Sequence, residues 1–167
     1  MILYTEQEIQ DRIKKISSHI NHVEYHYPDI PVFICVLNGA FMFFTDLVKE
    51  IGECEIDFVQ AKSYDNQKQG EIYIHKTITS NIEGKHIYLV DDIYDSGNTM
   101  NRLIKHLNYQ KPKSITPVTL FKKQHSECSN LIYGFELKDE TFLVGYGLDS
   151  VNGTKRNQKY IEGVSPE

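Results

Sequence analysis

Three carboxylate side chains and a small polar turn follow one another between residues 91 and 99. Asp91 and Asp92 come directly after an apolar stretch, 87–90, that has the pattern of a buried strand, and Asp95 follows after two further residues. The segment 99–107 then carries apolar residues at helical spacing, which predicts a strand, a turn and a helix in that order. The small polar residues of the turn are Ser96, Gly97, Asn98 and Thr99.

A glycine-containing turn at the start of a helix is suited to binding a phosphate group. Its backbone N–H groups point toward one place, and the helix dipole adds partial positive charge there. Adjacent carboxylates repel each other unless they meet a cation or hydroxyl donors, which Mg²⁺ or a ribose would supply. A plain connection in which Ser96 or Asn98 caps the helix is the alternative. Because three acids accompany the turn, we favour a site for a phosphorylated sugar.

A second turn, at Asn38 and Gly39, follows a run, 32–37, that is apolar on both faces. Such a run is typical of a central parallel strand, and an aromatic-rich helix is predicted over 40–51. Strands and helices alternate along the chain, which predicts an α/β fold with a mainly parallel central sheet flanked by helices. Ligands of such sheets bind beyond the carboxyl ends of the strands, where both turns are expected.

The remaining elements follow the same alternation. Thr5 and Glu8 have the spacing of a capping box, which predicts a first helix. Its core-facing residues are expected to be Ile9, Ile13, Ile16 and Ile20. Pro117 favours a sheet edge or a bulge. Further strands are predicted over 55–62, 70–75, 114–120, 132–135 and 141–146, with a polar loop at 63–69.

Length and composition indicate one globular domain spanning residues 1–167. Apolar residues make up 40% of the chain, and the net charge of −5 argues against a dedicated nucleic-acid binder. No apolar run reaches the ~20 residues of a membrane helix, and the N-terminus lacks the pattern of a signal peptide. The three cysteines have no metal-ligand spacing. We therefore expect reduced thiols in a cytoplasmic protein that binds neither membrane nor nucleic acid.

The string 91–99 resembles the phosphoribosyl pyrophosphate signature of type I phosphoribosyltransferases, and the rest of the chain resembles their hypoxanthine-guanine branch. The resemblance covers about residues 5–164 and implies the fold of that family. It also implies a small hood subdomain, formed by the N-terminal segment and about 123–167, and a mobile lid at about 63–76 with Ser63 and Tyr64.

The resemblance further implies roles for the acids and the turn of the signature. Residues Asp95 to Thr99 would bind the 5′-phosphate, and Asp95 would be the general base that takes a proton from the purine. Asp91 and Asp92 would hold the ribose hydroxyls, directly or through Mg²⁺. The family usually has Glu where Asp91 stands.

On the pyrophosphate side, Asn38 and Gly39 resemble the family's loop, in which a cis peptide would join Leu37 to Asn38. Asn38 stands where the family usually has Lys, so one cation is missing. Arg156 matches the family's pyrophosphate-contacting arginine, but counting forward from Asp149 leads to Lys155 instead, so both stay candidates.

The purine side is implied by a lysine and by the stretch 134–149. Lys123 matches the family lysine that donates to the 6-oxo group, and Lys122 competes if the register shifts by one residue. Phe142 would stack on the base, Leu143 would offer backbone groups, and Asp149 would help to hold Mg²⁺.

The implied activity is the Mg²⁺-dependent transfer of phosphoribosyl from phosphoribosyl pyrophosphate to hypoxanthine, with guanine as a second expected substrate. The expected products are pyrophosphate and IMP or GMP, for purine salvage, and the expected assembly is a homodimer or homotetramer. Two alternatives stay open. One is a regulator of the same fold that binds phosphoribosyl pyrophosphate and nucleic acid, and the other is a xanthine-preferring relative.

Overall fold

The computed structural model describes residues 1–63, 72–138 and 140–164. The helices in this part of the chain are α1 (Glu6–Glu24), α2 (Phe41–Lys49) and α3 (Asn98–Asn108). The strands are β1 (Ile2–Tyr4), β2 (Val32–Leu37), β3 (Glu55–Ser63), β4 (Ile72–Lys76), β5 (His86–Tyr94), β6 (Ser114–Lys123), β7 (Ile132–Leu137), β8 (Phe142–Val144) and β9 (Ile161–Val164). None of the described helices is long and apolar enough to cross a membrane.

The central sheet has the strand order β4-β3-β2-β5-β6-β7. Its neighbouring strands run parallel except for the antiparallel pair of β3 and β4. The predicted α/β class with a mainly parallel sheet is therefore confirmed. Cys35 of β2 pairs with Val90 of β5, and Val90 pairs with Val118 of β6. This register brings the carboxyl ends of the three strands to one edge, where the two predicted turns begin.

A second, antiparallel sheet has the order β1-β9-β8 and joins the two ends of the chain. The sequence analysis did not predict β1 and β9, which are three and four residues long. The backbone N–H of Gly163 donates to the carbonyl of Met1 at 2.9 Å. The hood was expected to use about 123–167, but β7 lies within that range and pairs with the central sheet.

Helix α1 begins with the predicted capping box. The Glu8 backbone N–H donates to the Thr5 hydroxyl at 3.3 Å, and the Glu8 carboxylate accepts from the Thr5 backbone N–H at 2.8 Å. Two orphan N–H groups at the helix start are thereby satisfied. The four isoleucines that were expected to face the core are all buried, namely Ile9, Ile13, Ile16 and Ile20.

Strand β5 continues to Tyr94, beyond the predicted end at Val90, so Asp91 and Asp92 lie inside the strand. Its extension is stabilised by β6, because Asp91 pairs with Thr119 and Tyr94 pairs with Lys122. Such pairing partners are about thirty residues away in the chain and cannot be read from local periodicity.

Pro117 does not lie on an edge strand, because β6 pairs with both β5 and β7. Pairing with β7 begins only at Val118, so the part of β6 at Pro117 has a neighbour on one side. The last predicted strand, 141–146, is shorter than expected and ends at Val144. The reason is a tight turn in which Gly145 and Tyr146 have φ values of 96° and 48°, outside the range of a strand.

Asp57 of β3 is a buried carboxylate that joins this strand to the segment after β4. It accepts backbone hydrogen bonds from Phe58 at 2.7 Å, Thr79 at 2.8 Å and Ser80 at 2.7 Å. Burial alone would raise the pKa of Asp57, but the hydrogen bonds outweigh it and lower the pKa to about 2. The ionised form therefore stabilises the fold.

We expect Asp57→Asn to lower the free energy of unfolding by about 2 kcal/mol at pH 7, since an amide N–H₂ would face N–H donors. A group with a lowered folded-state pKa stabilises the fold at pH values above its ordinary pKa. The difference from the native chain should therefore shrink as the pH falls from about 4 toward 2. Urea unfolding over this pH range measures it, with exposed Asp29→Asn as the control. An unchanged stability at pH 7 would contradict the assignment.

Candidate active site

The turn between β5 and α3 has the backbone shape of an anion-binding loop. Gly97 precedes the first residue of α3 with φ 80°. A Cβ at this position would lie 2.5 Å from the Tyr94 hydroxyl, so the position requires glycine in both conformation and space. The backbone N–H of Asn98 donates to the Ser96 hydroxyl at 3.3 Å, which stabilises the turn. The turn thus presents a helix N-terminus at the carboxyl edge of the sheet.

Asp91 and Asp92 lie side by side and are only partly exposed. Each accepts a hydrogen bond from the next backbone N–H, from Asp92 at 2.8 Å and from Ile93 at 2.7 Å. Burial, with the neighbouring charge of Asp92, raises the pKa of the Asp91 carboxyl well above its usual value. Burial also raises the pKa of Asp92, and the charge of Arg156 opposes that rise. The pair is therefore suited to meeting hydroxyl donors or a cation.

The turn after β2 packs directly against Asp92. The peptide bond between Leu37 and Asn38 is cis, as the family resemblance implied. A Cβ at Gly39 would lie 1.9 Å from Asp92 Oδ2, so only glycine fits there. Asn38 Oδ1 accepts a hydrogen bond from Gln60 Nε2 at 3.2 Å. Where the family usually has a Lys, this chain therefore has an Asn whose side chain is hydrogen-bonded to Gln60 of β3.

For the substrate that the family resemblance implies, phosphoribosyl pyrophosphate, we expect Gly39→Ala to lower kcat/KM about 100-fold. The new methyl group must displace the Asp92 carboxylate by about an ångström. Gly52→Ala is a matched control, since nothing lies within 4 Å of a Cβ built at Gly52. Steady-state kinetics of both variants measure the effect, and melting curves test their folding. Equal kinetics for the two folded variants would contradict a role for this contact.

Arg156 and Lys155 have different surroundings. Arg156 donates from Nη1 to the Gly147 carbonyl at 2.6 Å and from Nη2 to Asp149 Oδ2 at 2.7 Å. Lys155 instead pairs with Glu162 of β9 at 2.6 Å. Since a Cβ at Gly147 would lie 2.2 Å from the Gly39 carbonyl, the Arg156 segment adjoins the turn after β2. Of the two candidates, the geometry favours Arg156 at the expected pyrophosphate side.

A cavity of about 460 Å³ lies beside the carboxylates. Lys123 is buried there and donates to the carbonyls of Thr141 and Lys138, the latter at 3.5 Å. Phe142 is 49% exposed, whereas the Leu143 side chain is buried. Leu143 can therefore contact a molecule in the cavity only through its backbone groups. The cavity is lined by Ile93, Asp95, Lys123, Glu140, Thr141, Phe142, Leu143, Leu148 and Asp149.

Lys122 does not line this cavity. Its Nζ lies 3.3 Å from Glu136 on the neighbouring strand β7 and 5.6 Å from the centre of the Tyr133 ring. The alternation of side chains along β6 therefore separates the two lysines. Lys123, the residue chosen from the family resemblance, is the one in the cavity.

The two predicted lid residues lie at the end of β3 and just beyond it. Ser63 is the last residue of β3, and Tyr64 lies outside the described residues together with most of the expected lid. Most of the other predicted site residues follow β2 or β5 of the central sheet or line the cavity, whereas Arg156 lies between β8 and β9.

His125 is a site residue that the sequence analysis missed. Its Nε2 lies 3.2 Å from Asp95 Oδ1, although the two residues are thirty positions apart in the chain. The hydroxyl of Ser126 donates to the Asp95 backbone carbonyl. The seven histidines show no metal-ligand pattern in the sequence. The one sequence feature that could have indicated a role for His125 is its position two residues after Lys123.

In the part of the chain that the structure describes, no group of three or more His, Cys, Asp or Glu side chains could hold a metal by itself. Mg²⁺ commonly binds one or two carboxylates and completes its shell with water and substrate phosphates. The adjacent carboxylates Asp91 and Asp92 fit such a partial ligand set, because a bound cation would offset the neighbouring charge that helps to raise the pKa of Asp91. Asp149 is a third carboxylate nearby, in contact with Arg156.

Comparison with known proteins decides the family. The sequence model described as phosphoribosyl transferase domain matches residues 2–150. The chain belongs to this phosphoribosyltransferase family. The family prediction made from residues 91–99 is therefore confirmed.

Relatives of this phosphoribosyltransferase match it over nearly the whole chain. The hypoxanthine-guanine phosphoribosyltransferase of Bacillus subtilis is 37% identical, covering 99% of this chain and 93% of the relative. The hypoxanthine-guanine-xanthine phosphoribosyltransferase of Tritrichomonas foetus is 35% identical, covering 90% of this chain and 84% of the relative.

Solved structures agree with this assignment. A hypoxanthine-guanine phosphoribosyltransferase of Bacillus anthracis superposes with a TM-score of 0.89 at 35% identity, covering 98% of both chains. A hypoxanthine phosphoribosyltransferase of Trypanosoma cruzi, solved with the product IMP, gives 0.87 at 29% identity, covering 99% of this chain and 94% of the other. The type I phosphoribosyltransferase fold predicted from the sequence is confirmed.

Proposed function

We propose that this phosphoribosyltransferase transfers the phosphoribosyl group of phosphoribosyl pyrophosphate to hypoxanthine and guanine in purine salvage. The products are IMP or GMP and pyrophosphate. The observation that carries the proposal is the cavity beside the turn that is expected to bind phosphate. This cavity is lined by the buried Lys123 and by the more exposed Asp95 and Phe142. The names of the relatives from Bacillus subtilis and Tritrichomonas foetus support the same substrates.

In this proposal the purine lies in the cavity. An ammonium group can donate but not accept, so Lys123 binds the 6-oxo group of hypoxanthine or guanine. The ring of Phe142 stacks on the base, and backbone groups of Leu143 meet its edge. Asp95 also lines the cavity and takes the proton from the imidazole ring of the purine.

The phosphoribosyl group extends from the cavity toward the turn. Its 5′-phosphate binds the backbone N–H groups of residues 95–99, and Asp91 and Asp92 accept hydrogen bonds from the ribose hydroxyls. Departure of pyrophosphate builds positive charge on the ribose ring. Arg156 and the backbone of the turn at Gly39 stabilise the negative charge that develops on the leaving pyrophosphate.

The carboxylates Asp91, Asp92 and Asp149 are the residues that would hold Mg²⁺ together with oxygens of the substrate. When bound, Mg²⁺ supplies positive charge against the pyrophosphate. For the arginine to meet pyrophosphate, the ion pair of Arg156 with Asp149 must open or share its donors.

One assay tests the proposal. Purified protein is mixed with Mg²⁺, phosphoribosyl pyrophosphate and hypoxanthine, guanine, xanthine or adenine in parallel reactions, and nucleotide formation is measured. We expect turnover of hypoxanthine and guanine. Turnover of xanthine alone would favour a xanthine-preferring enzyme, and absence of turnover with binding of nucleic acid would favour the regulator.

A homodimer or homotetramer is part of the proposal. Three large apolar side chains are 38–46% exposed on α2 and β3, namely Phe41, Ile56 and Phe58. A single exposed apolar residue is common on protein surfaces. Here the ring centroids of Phe58 and Phe44 are 5.8 Å apart, so the exposed apolar surface of β3 continues onto α2. Sedimentation of the native chain and of Phe58→Ser measures the assembly, and an unchanged size would exclude this surface as the contact.

We propose the cytoplasm as the compartment and residues 63–76 as the lid. The cysteines Cys35, Cys54 and Cys128 are free thiols, which fits a reducing environment. A lid would exclude water from the reacting ribose.

A further inference from the structure

His125 faces the proposed base from a separate segment of the chain. Its Nε2 lies 3.2 Å from Asp95 Oδ1, which is hydrogen-bonding distance. The Asp95 side chain is 62% exposed and that of His125 is 48% exposed, so the pair connects the cavity wall with solvent. A polar contact between two side chains this exposed contributes little to stability, which makes a purely structural explanation of this contact weak.

The residues on both sides of His125 are anchored. The backbone N–H of Gln124 donates to the Leu137 carbonyl at 2.8 Å. Ser126 is buried, and its hydroxyl donates to the backbone carbonyl of Asp95. Because both neighbours are held, the imidazole is directed at Asp95 by the backbone and not only by the attraction of the two side chains.

The reaction requires an exit for a proton. The purine loses the proton of its imidazole ring when its nitrogen forms the bond to the ribose carbon, and the bond from that carbon to pyrophosphate breaks with its electron pair. Asp95 must then release the proton before the next turnover. Imidazole is the side chain best suited to passing a proton near neutral pH.

We infer that His125 accepts this proton from Asp95 and passes it to water. The inference rests on the proposed function and on Asp95 as the base. The proton moves from the purine to the Asp95 carboxylate and then to the unprotonated Nε2 of His125, whose Nδ1 carries the hydrogen of the neutral ring. The imidazolium then loses its Nε2 proton to water, which restores the starting tautomer for the next turnover. The other charged groups that line the cavity are Lys123, Glu140 and Asp149.

Two substitutions separate proton transfer from orientation. His125→Ala removes both, whereas His125→Gln keeps a side chain that can hydrogen-bond to Asp95 but cannot accept a proton. We expect both variants to lower the steady-state kcat about 10-fold, less than loss of a general base, because water can still reach Asp95. The single-turnover rate, which precedes release of the proton from Asp95, should change less. The KM for phosphoribosyl pyrophosphate should not change. His19→Ala, at an exposed position on α1, is the matched control.

Added imidazole supplies the readout that a structural role would not change. It should restore the rate of His125→Ala in proportion to its concentration and leave His19→Ala unaffected. A normal rate for His125→Gln would overturn the relay in favour of orientation alone, and a normal rate for His125→Ala would overturn it altogether. Failure of imidazole to restore the rate also contradicts the relay. An unmodified chain without activity on any oxopurine would instead contradict the proposed function.

Discussion

Asp95→Asn is expected to lower turnover by ~10²–10⁴-fold, the usual contribution of a positioned general base. The amide keeps the shape of the side chain and can still hydrogen-bond to His125, but it cannot take the purine proton. Asp95 lines the same cavity as Lys123, so it lies near the bound purine in the proposed arrangement. Steady-state turnover of hypoxanthine measures the loss.

The control for this variant is Asp11→Asn, which removes an exposed carboxylate on α1 that accepts from Gln7. It should leave turnover unchanged. Melting transitions of both variants establish that they are folded. If folded Asp95→Asn turns over hypoxanthine at a nearly normal rate, then Asp95 is not the base.

Replacement of Lys123 is expected to remove the preference for 6-oxopurines. A hydrogen bond from a charged donor contributes ~1.5–3 kcal/mol, so Lys123→Ala should lower kcat/KM for hypoxanthine about 10- to 100-fold. The KM for phosphoribosyl pyrophosphate should change much less. The native chain should use adenine negligibly, since the 6-amino group would place a donor against the ammonium.

Lys122→Ala is the matched control, because the neighbouring lysine pairs with Glu136 outside the cavity. Lys123 also donates to the carbonyls of Thr141 and Lys138, so a lower melting temperature of Lys123→Ala has to be measured alongside its kinetics. Efficient use of adenine by the native chain would refute the assignment. Normal purine kinetics for Lys123→Ala together with impaired kinetics for Lys122→Ala would do the same.

Features that depend on consecutive residues were predictable from the sequence. The capping box at Thr5 and Glu8 satisfies N–H groups three residues apart, and the apolar run 32–37 is buried on both faces in β2. The turn at Gly97 is likewise local, since a positive φ before a helix is a property of that residue. The α/β class followed from such patterns, and the family followed from the resemblance of residues 91–99 to a known signature.

Features that depend on distant pairing were decided only by the tertiary structure. Strand β5 extends past Val90 because β6 continues beside it, and the short strands β1 and β9 form by pairing between opposite ends of the chain. The contact of His125 with Asp95 depends on the course of the chain after β6. The side of the sheet on which Lys122 or Lys123 lies depends on the pairing of β6 with β7. Local periodicity determines whether a segment forms a helix or a strand and which of its faces is apolar. Which side chains come together in the site depends on which strands are neighbours and on the register of their pairing.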